Sequence, residues 1–196
     1  MTVGIDSAFT FCTPPRIIFG AGTRREIAPS AAALGRHVCL VAGTDSAAAQ
    51  VQADLAAHGV RCTAFRIANE PRIEQVSAWS AAARAAQCDV VIGLGGGSAM
   101  DAAKAIAALL TNPGEPLDYL EIVGRGRKLT QRSAPCIAVP TTAGTGAEAT
   151  VNAVLHAADQ QVKVSMRSPL MLVETVIVDP ARALTLPPTE LPPRFS

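Results

Sequence analysis

A run of glycines between an apolar segment and an alanine-rich segment is the strongest chemical signal in the sequence. Gly95, Gly96 and Gly97 are followed by Ser98 and then by Asp101. Glycines allow a tight turn close to a ligand, and the N–H groups and dipole at the start of a following helix attract an anion. We expect Ser98 to cap that helix and Asp101 to lie at its third position. The pattern predicts a phosphate-binding turn, with a purely structural glycine turn as the alternative.

A second loop, rich in hydroxyl groups, follows the next apolar segment. Residues 140–150 include Thr141, Thr142, Thr145 and Gly146, a composition that suits a loop wrapped around a polar ligand. A Ser/Thr-rich turn without a ligand is the alternative. Because ligands collect at the carboxyl edge of an open parallel sheet, two such loops after two strands favour a nucleotide site.

The elements that position these loops alternate between apolar runs and alanine-rich helical patterns. This alternation predicts an α/β fold with an open, mostly parallel Rossmann-like sheet and helices on both faces. Thr23 and Glu26 have the spacing of a capping box at the start of the first helix. The predicted extended segments are 10–12, 16–19, 37–42, 60–67, 89–94, 136–139, 151–156, 162–166 and 175–180. The predicted helices are 23–34, 45–58, 74–87 and 100–110, with an irregular polar segment at 114–133.

Composition excludes several classes of partner. The chain has 196 residues, 49% of them hydrophobic and 17% charged, with a net charge of +1, so it lacks the basic field that attracts nucleic acid or anionic membranes. The first residues lack the basic and apolar regions of a secretory signal, and no apolar run approaches about 20 residues, so we expect a soluble, intracellular protein. The five cysteines are widely spaced, which predicts small buried side chains in a reducing cytoplasm. They are Cys12, Cys39, Cys62, Cys88 and Cys136.

Several motifs in a fixed order resemble the iron-containing (group III) alcohol dehydrogenases. They are Ile-Phe-Gly-Ala-Gly from Ile18, Gly-Gly-Gly-Ser-x-x-Asp-x-x-Lys from Gly95, Asn-Pro-Gly from Asn112, Pro-Thr-Thr-Ala-Gly-Thr-Gly-x-Glu from Pro140 and a final Val-Asp-Pro from Val178. The resemblance implies an N-terminal domain like that of dehydroquinate synthase, covering residues 1–187, with 188–196 as a tail unlike the family. Maleylacetate reductases and glycerol dehydrogenases are related alternatives, although the Thr-Thr-Ala-Gly-Thr-Gly loop resembles the alcohol branch.

The resemblance also implies which residues hold a nicotinamide dinucleotide. The glycine run and Ser98 would hold the pyrophosphate, with Asp101 beside them, and Lys163 would contact a ribose. The adenosine and nicotinamide-ribose side would be lined by Thr141, Thr142, Thr145 and Gly146. Gly43 departs from the family, because many NAD-specific members have an aspartate there that accepts from the ribose 2′-hydroxyl. The cofactor is therefore NAD or NADP, with Asp45 and Ser46 the nearby residues of interest.

In this family one aspartate and three histidines hold Fe²⁺ or Zn²⁺ on a C-terminal helical domain, which we expect to be absent from this chain. His37, His58 and His156 lack the spacing that places two ligands on one helical face, so no metal ligand or catalytic residue is assigned. The expected function is the NAD(P)-binding domain of an enzyme acting on a small alcohol or aldehyde, inactive alone. A stand-alone nucleotide-binding or interaction module is the alternative. As in relatives, the N-terminal extended segment could pair across the two-fold axis of a homodimer.

Overall fold

The computed structural model describes residues 12–158 and 161–183. Its main sheet has six strands in the order β1-β8-β5-β4-β2-β3, and every neighbouring pair is parallel. The strands are β1 (Arg16–Phe19), β2 (His37–Ala42), β3 (Arg61–Arg66), β4 (Val90–Gly95), β5 (Cys136–Pro140) and β8 (Thr175–Val178). The predicted parallel α/β architecture is therefore confirmed.

Helices cover both faces of this sheet. They are α1 (Ile27–Leu34), α2 (Asp45–Ala57), α3 (Ile73–Ala85) and α4 (Gly97–Thr111), with two single-turn helices, α5 (Pro116–Tyr119) and α6 (Pro180–Ala183). In β4, Val91 belongs to the core that includes α3 and α4, whereas Val90 and Ile92 belong to the core that includes α1 and α2. Because successive strand residues face opposite sides, a strand covered on both faces must be apolar throughout.

A separate antiparallel hairpin, β6 (Asn152–Ala157) and β7 (Val162–Arg167), packs on α4. Its strands alternate between buried and more exposed residues; Ala153 and Leu155 of β6 and Val164 and Met166 of β7 join the α3–α4 core. The hairpin therefore forms a wall beside the first turns of α4.

Two local predictions are wrong. Thr23 does not cap an α-helix with Glu26; it begins a 3₁₀ turn, Thr23–Glu26, and its hydroxyl donates to the carbonyls of Gly20 and Val178 at 2.8 and 3.1 Å. The hydroxyl thus links the 3₁₀ turn to the end of β8, and the α-helix starts only at Ile27. The segment predicted to be irregular throughout contains α5. The predicted extended segment at 10–12 lies largely outside the described residues.

The prediction that the cysteines are small buried side chains is confirmed in part. Cys39, Cys88 and Cys136 are buried and Cys62 is half-buried, whereas Cys12 is exposed, and all five are free thiols. Within the described residues, no helix has the length and apolar character needed to cross a membrane.

Candidate functional site

The glycine loop lies where β4 meets α4, and its shape depends on the absence of side chains. Gly95 has φ of +149°, and a Cβ there would lie 3.0 Å from the Cβ of Ala99. A Cβ on Gly93, within β4, would lie 2.9 Å from the Cβ of Ala103. Helix α4 therefore packs directly against the backbone of its own strand, which brings its N-terminus to the carboxyl edge of the sheet.

The cap of α4 differs from the sequence prediction. Gly96 is the N-cap, in an extended conformation, and among the described residues no side chain caps the helix. Ser98 is therefore the second helical residue and Asp101 the fifth, so neither has the predicted capping role. The helix starts two residues early because Gly96, in an extended conformation, alone connects the end of β4 to Gly97. Helix N-terminal amides that a side chain does not cap need another acceptor, which a bound anion can supply.

The hydroxyl-rich loop lies against the glycine loop, as predicted for neighbouring strands. The N–H of Thr141 donates to the carbonyl of Gly95 at 2.9 Å. A Cβ on Gly96 would lie 3.3 Å from Oγ1 of Thr142, and a Cβ on Gly97 would lie 3.6 Å from Cβ of Thr145. The two loops thus form one surface in which main chain and hydroxyl groups face each other.

Gly43 joins this surface from β2, on the other side of β4. Its N–H donates to the carbonyl of Leu94 at 3.0 Å, and a Cβ there would lie 3.9 Å from Cα of Gly95. Next to it, Thr44 caps α2 by accepting from Ala47 N–H at 3.3 Å. The floor of the site is consequently made of three adjacent strand ends.

A buried ion pair on α4 contacts the loop that carries the threonines. The side chain of Lys104 is fully buried, and its Nζ lies 3.0 Å from Oδ1 of Asp101. The same ammonium donates to the carbonyl of Ala147 at 2.8 Å and to Oγ1 of Thr150 at 3.1 Å. Burial raises the pKa of Asp101, while Lys104 and the backbone N–H of Val154 act in the opposite direction. One lysine therefore links α4 to both ends of the turn at 147–150.

A pocket of about 160 Å³ opens between α4 and the β6–β7 hairpin. Gly97, Ser98 and Asp101 line it from α4, and Lys163 lines it from the hairpin. Lys163 Nζ lies 2.5 Å from Oε1 of Glu70, which belongs to the loop before α3. The structure thus brings Lys163 next to the glycine loop, although 65 residues or more separate it from that loop in the sequence.

A second charged pair joins the last residue of β3 to the first residue of α2. Arg66 Nε lies 3.5 Å from Oδ1 of Asp45, and both side chains are mostly exposed. The hydroxyl of Ser46 lies 3.5 Å from Oγ1 of Thr44. Asp45 and Ser46 therefore lie at the start of α2, directly after Gly43.

The residues at the loop junction fit the dinucleotide implied by the sequence motifs. Among the described residues, Oγ1 of Thr142 is buried without a hydrogen-bond partner, although it faces Gly96. A buried polar atom without a partner is costly, and a phosphate oxygen would accept from this hydroxyl. Oε2 of Glu148 in the same loop is likewise buried without a partner within the described chain.

The three histidines lie apart. His37 Nε2 pairs with Thr63 Oγ1 at 3.0 Å, His58 Nδ1 pairs with the carbonyl of Asp54 at 2.8 Å, and His156 lies on β6. Across the described ranges 12–158 and 161–183, no three His, Cys, Asp or Glu side chains are grouped so that they could hold a metal ion.

The sequence model of one protein family, the iron-containing alcohol dehydrogenases, matches residues 14–180, which is most of the sequence. The chain belongs to this family. The motif-based identification from the glycine loop, the threonine loop and Asp-Pro is therefore confirmed.

Individual relatives carry several activities. The chain is 32% identical to choline dehydrogenase of Bacillus subtilis over 91% of its own length and 46% of that protein. It is 35% identical to sulfoacetaldehyde reductase of Bilophila wadsworthia over 92% of its length and 47% of that protein. The solved structure of sulfoacetaldehyde reductase from Bifidobacterium kashiwanohense in complex with NAD⁺ superposes with a TM-score of 0.82 at 29% identity, covering 94% of this chain and 49% of that one. The chain thus spans about half the length of these family members.

Two residues of the site have no assigned role in the sequence motifs. Lys104 ends the Gly-Gly-Gly-Ser-x-x-Asp-x-x-Lys motif, and its spacing of three from Asp101 is the one available signal that it forms an ion pair. Glu70 lies in an unremarkable polar loop, and nothing in its sequence context indicates a partner at Lys163. Both contacts depend on how distant segments pack.

Proposed function

We propose that this chain binds the nicotinamide dinucleotide of an alcohol dehydrogenase at the junction of its glycine and threonine loops. The observation that supports this most directly is the uncapped N-terminus of α4, where Gly96 replaces a side-chain cap and the unpartnered Thr142 hydroxyl faces it. Helix N-terminal amides and a free hydroxyl form an anion site suited to a pyrophosphate. In this proposal Gly95, Gly96, Gly97 and Ser98 hold the pyrophosphate.

The remaining groups would hold the two ends of the cofactor on opposite sides of the glycine loop. Gly43 lies on the β2 side, where the adenosine ribose binds in doubly wound folds. Lys163 lies on the hairpin side, near the pocket next to Ser98, and would contact the other ribose. Thr141, Thr142, Thr145 and Gly146 would line the cofactor from the β5 side, while Asp101 supports the loops through Lys104.

In the whole enzyme, the bound nicotinamide would exchange a hydride with a small alcohol or aldehyde. This chain's residues would contribute binding and orientation: the helix N-terminus fixes the pyrophosphate, and the two flanking regions fix the riboses. We extend the proposal to the family's Fe²⁺ or Zn²⁺ only for a protein that also carries the rest of the relatives' length. Residues 1–187 form the cofactor-binding unit in this proposal, which we place in the cytoplasm.

The choice between NAD and NADP depends on Gly43. An uncharged residue there removes repulsion against a 2′-phosphate, whereas Asp45, two residues away, carries a carboxylate paired with Arg66. A relative with a bound NAD⁺ favours NAD, and the glycine permits NADP. We therefore propose that the chain accepts both cofactors.

Titration of the full chain with NADH and with NADPH, followed by nicotinamide fluorescence, tests the proposal. We expect saturable binding of at least one of them and competition by ADP, because ADP carries the pyrophosphate. Absence of saturable binding to either cofactor would contradict the proposed function. Alcohol oxidation by this chain after addition of Fe²⁺ or Zn²⁺ would contradict the expectation that it is inactive alone.

A further inference from the structure

An isoleucine in the loop that follows α5 is held in a conformation that costs free energy. Ile122 has φ of +63°, and the N–H of Val123 donates to the carbonyl of Glu121 at 2.7 Å. This bond closes a three-residue turn with a positive φ at its centre, which is the rarer and more strained kind of γ-turn. A β-branched residue seldom adopts a positive φ. Ile122 is nonetheless 92% exposed, so packing within the described part of the chain does not offset the strain.

The loop that carries this isoleucine, residues 121–128, is bound to α5 by main-chain hydrogen bonds. The N–H of Arg125 donates to the carbonyl of Leu117 at 2.8 Å, and the N–H of Gly126 donates to the carbonyl of Leu120 at 3.1 Å. These bonds fix the position of the loop relative to the helix. The exposed side chain of Ile122 is therefore a fixed feature of the surface beside α5.

A hollow of about 380 Å³ lies between α3 and α5. It is lined by the apolar residues Ile73, Ala78, Pro116 and Leu117 and by the polar residues Glu74, Ser77 and Glu115. Leu117 is 46% exposed, and its carbonyl is the one that accepts from Arg125 of the 121–128 loop. The volume lies in the range of small-molecule pockets, so an isoleucine side chain has ample room. The hollow and the exposed isoleucine thus lie close to each other on one chain.

The 121–128 loop and the α3–α5 hollow carry opposite charges. The loop has three exposed basic residues against one acidic residue, whereas the two charged residues that line the hollow are Glu74 and Glu115. Among the described residues, neither Lys128 of the loop nor Glu74 of the hollow has an ion-pair partner. Opposite charges around an apolar contact favour the pairing of these two surfaces and disfavour the pairing of either with its own kind.

We propose that Ile122 of one copy of this chain inserts into the α3–α5 hollow of a second copy. A second copy fits as the partner because it carries both the basic, apolar loop and the acidic, apolar hollow that complement each other. Since α5 contributes to both surfaces, a two-fold axis can satisfy both contacts at once, and the assembly then closes as a dimer. The interface does not include the edge strand β1, and the inference does not depend on cofactor binding.

Sedimentation equilibrium of the full chain over a range of concentrations tests the proposal. We expect a dimer whose dissociation constant rises at least tenfold in Ile122→Asn, because burial of an isoleucine side chain contributes enough free energy for that factor. Asparagine adopts a positive φ more readily than isoleucine, so the melting temperature should not fall. Val162→Asn changes another apolar residue, which is 40% exposed; it is the matched control and should leave the dissociation constant unchanged.

A mixing experiment tests which surface Ile122 enters. Ala78 is an exposed residue of α3 that lines the hollow, so Ala78→Lys places a long, positively charged side chain there. This variant should also weaken dimerisation at least tenfold. An equimolar mixture of Ile122→Asn and Ala78→Lys should dimerise more strongly than either variant alone, because the intact isoleucine of one can enter the intact hollow of the other.

Three results would overturn the inference. A chain that stays monomeric at the highest concentration tested does not pair through these surfaces, and the hollow would then be left to a different partner. Dimerisation that is unchanged in Ile122→Asn would show that the copies meet elsewhere. A mixture that dimerises no more strongly than its two components would show that Ile122 does not enter the α3–α5 hollow.

Discussion

The ammonium of Lys104 lies 3.0 Å from the carboxylate of Asp101, one turn earlier on the same helix, and the lysine side chain is fully buried. From this position it also reaches the carbonyl of Ala147, 43 residues further along the chain. The pair therefore couples the helix that starts at the glycine loop to the loop that carries the threonines. We therefore expect the glycine loop and the threonine loop to keep their relative positions only while this ion pair is intact.

Lys104→Met should lower the free energy of unfolding by about 3 kcal/mol, because it leaves the largely buried Asp101 carboxylate without its counter-ion and removes the ammonium that donates to Ala147 and Thr150. Urea denaturation measures the loss. Adding Asp101→Asn to Lys104→Met should restore part of it, since the unpaired charge is then removed. A stability of Lys104→Met equal to that of the unchanged chain would show that the pair does not hold the loops together.

Gly96→Val should weaken NADH binding by more than tenfold while the protein stays folded. A Cβ at this position meets Oγ1 of Thr142 at 3.3 Å, and the added methyl groups occupy the space above the first amides of α4. Fluorescence titration measures the binding, and circular dichroism verifies the fold. Ala57→Val, an exposed change at the end of α2, should leave binding unchanged; equal binding by both variants would place the pyrophosphate elsewhere.

Gly43→Asp should shift cofactor preference toward NADH. The structure has room for the side chain, because the nearest atoms to a Cβ lie 3.9 Å away. The new carboxylate would accept from a ribose 2′-hydroxyl and repel a 2′-phosphate, so the ratio of NADPH to NADH dissociation constants should rise about tenfold or more. Gly43→Asn is the uncharged control. An unchanged ratio in Gly43→Asp would show that residue 43 does not contact the adenosine ribose.

Iodoacetamide at pH 8 should modify Cys12 far faster than the other cysteines. Burial raises the pKa of Cys62 to about 11 and that of Cys136 to about 12, whereas Cys12 is exposed. A thiol with a pKa of 11 is thiolate in only about one molecule in a thousand at pH 8. Peptide mass spectrometry over time measures each rate. Equally fast modification of Cys12 and Cys136 would mean that the core around β5 is open to solvent.

The strands and the loops of the site were predictable because their signals are local. A continuous apolar run specifies a strand covered on both faces, and the glycine and threonine loops follow two such strands, β4 and β5. The prediction that Ser98 caps α4 was wrong, because Gly96 adopts a conformation that allows the helix to begin earlier. The contacts of Lys104 with Ala147 and of Glu70 with Lys163 were also missed, since each joins segments that only tertiary packing brings together.

At the centre of the site, Gly43 and Gly95 lie so close together that a Cβ on Gly95 would be 3.6 Å from Cα of Gly43, and the two strand ends present peptide groups there instead of side chains. Peptide groups offer the same donors and acceptors whatever the sequence around them. These peptide groups can therefore bind the phosphate of any nucleotide. Discrimination between nucleotides depends on the side chains around them. Nucleotide selectivity in such a site can be changed by substituting single surrounding side chains, while the peptide groups that bind the phosphate stay unchanged.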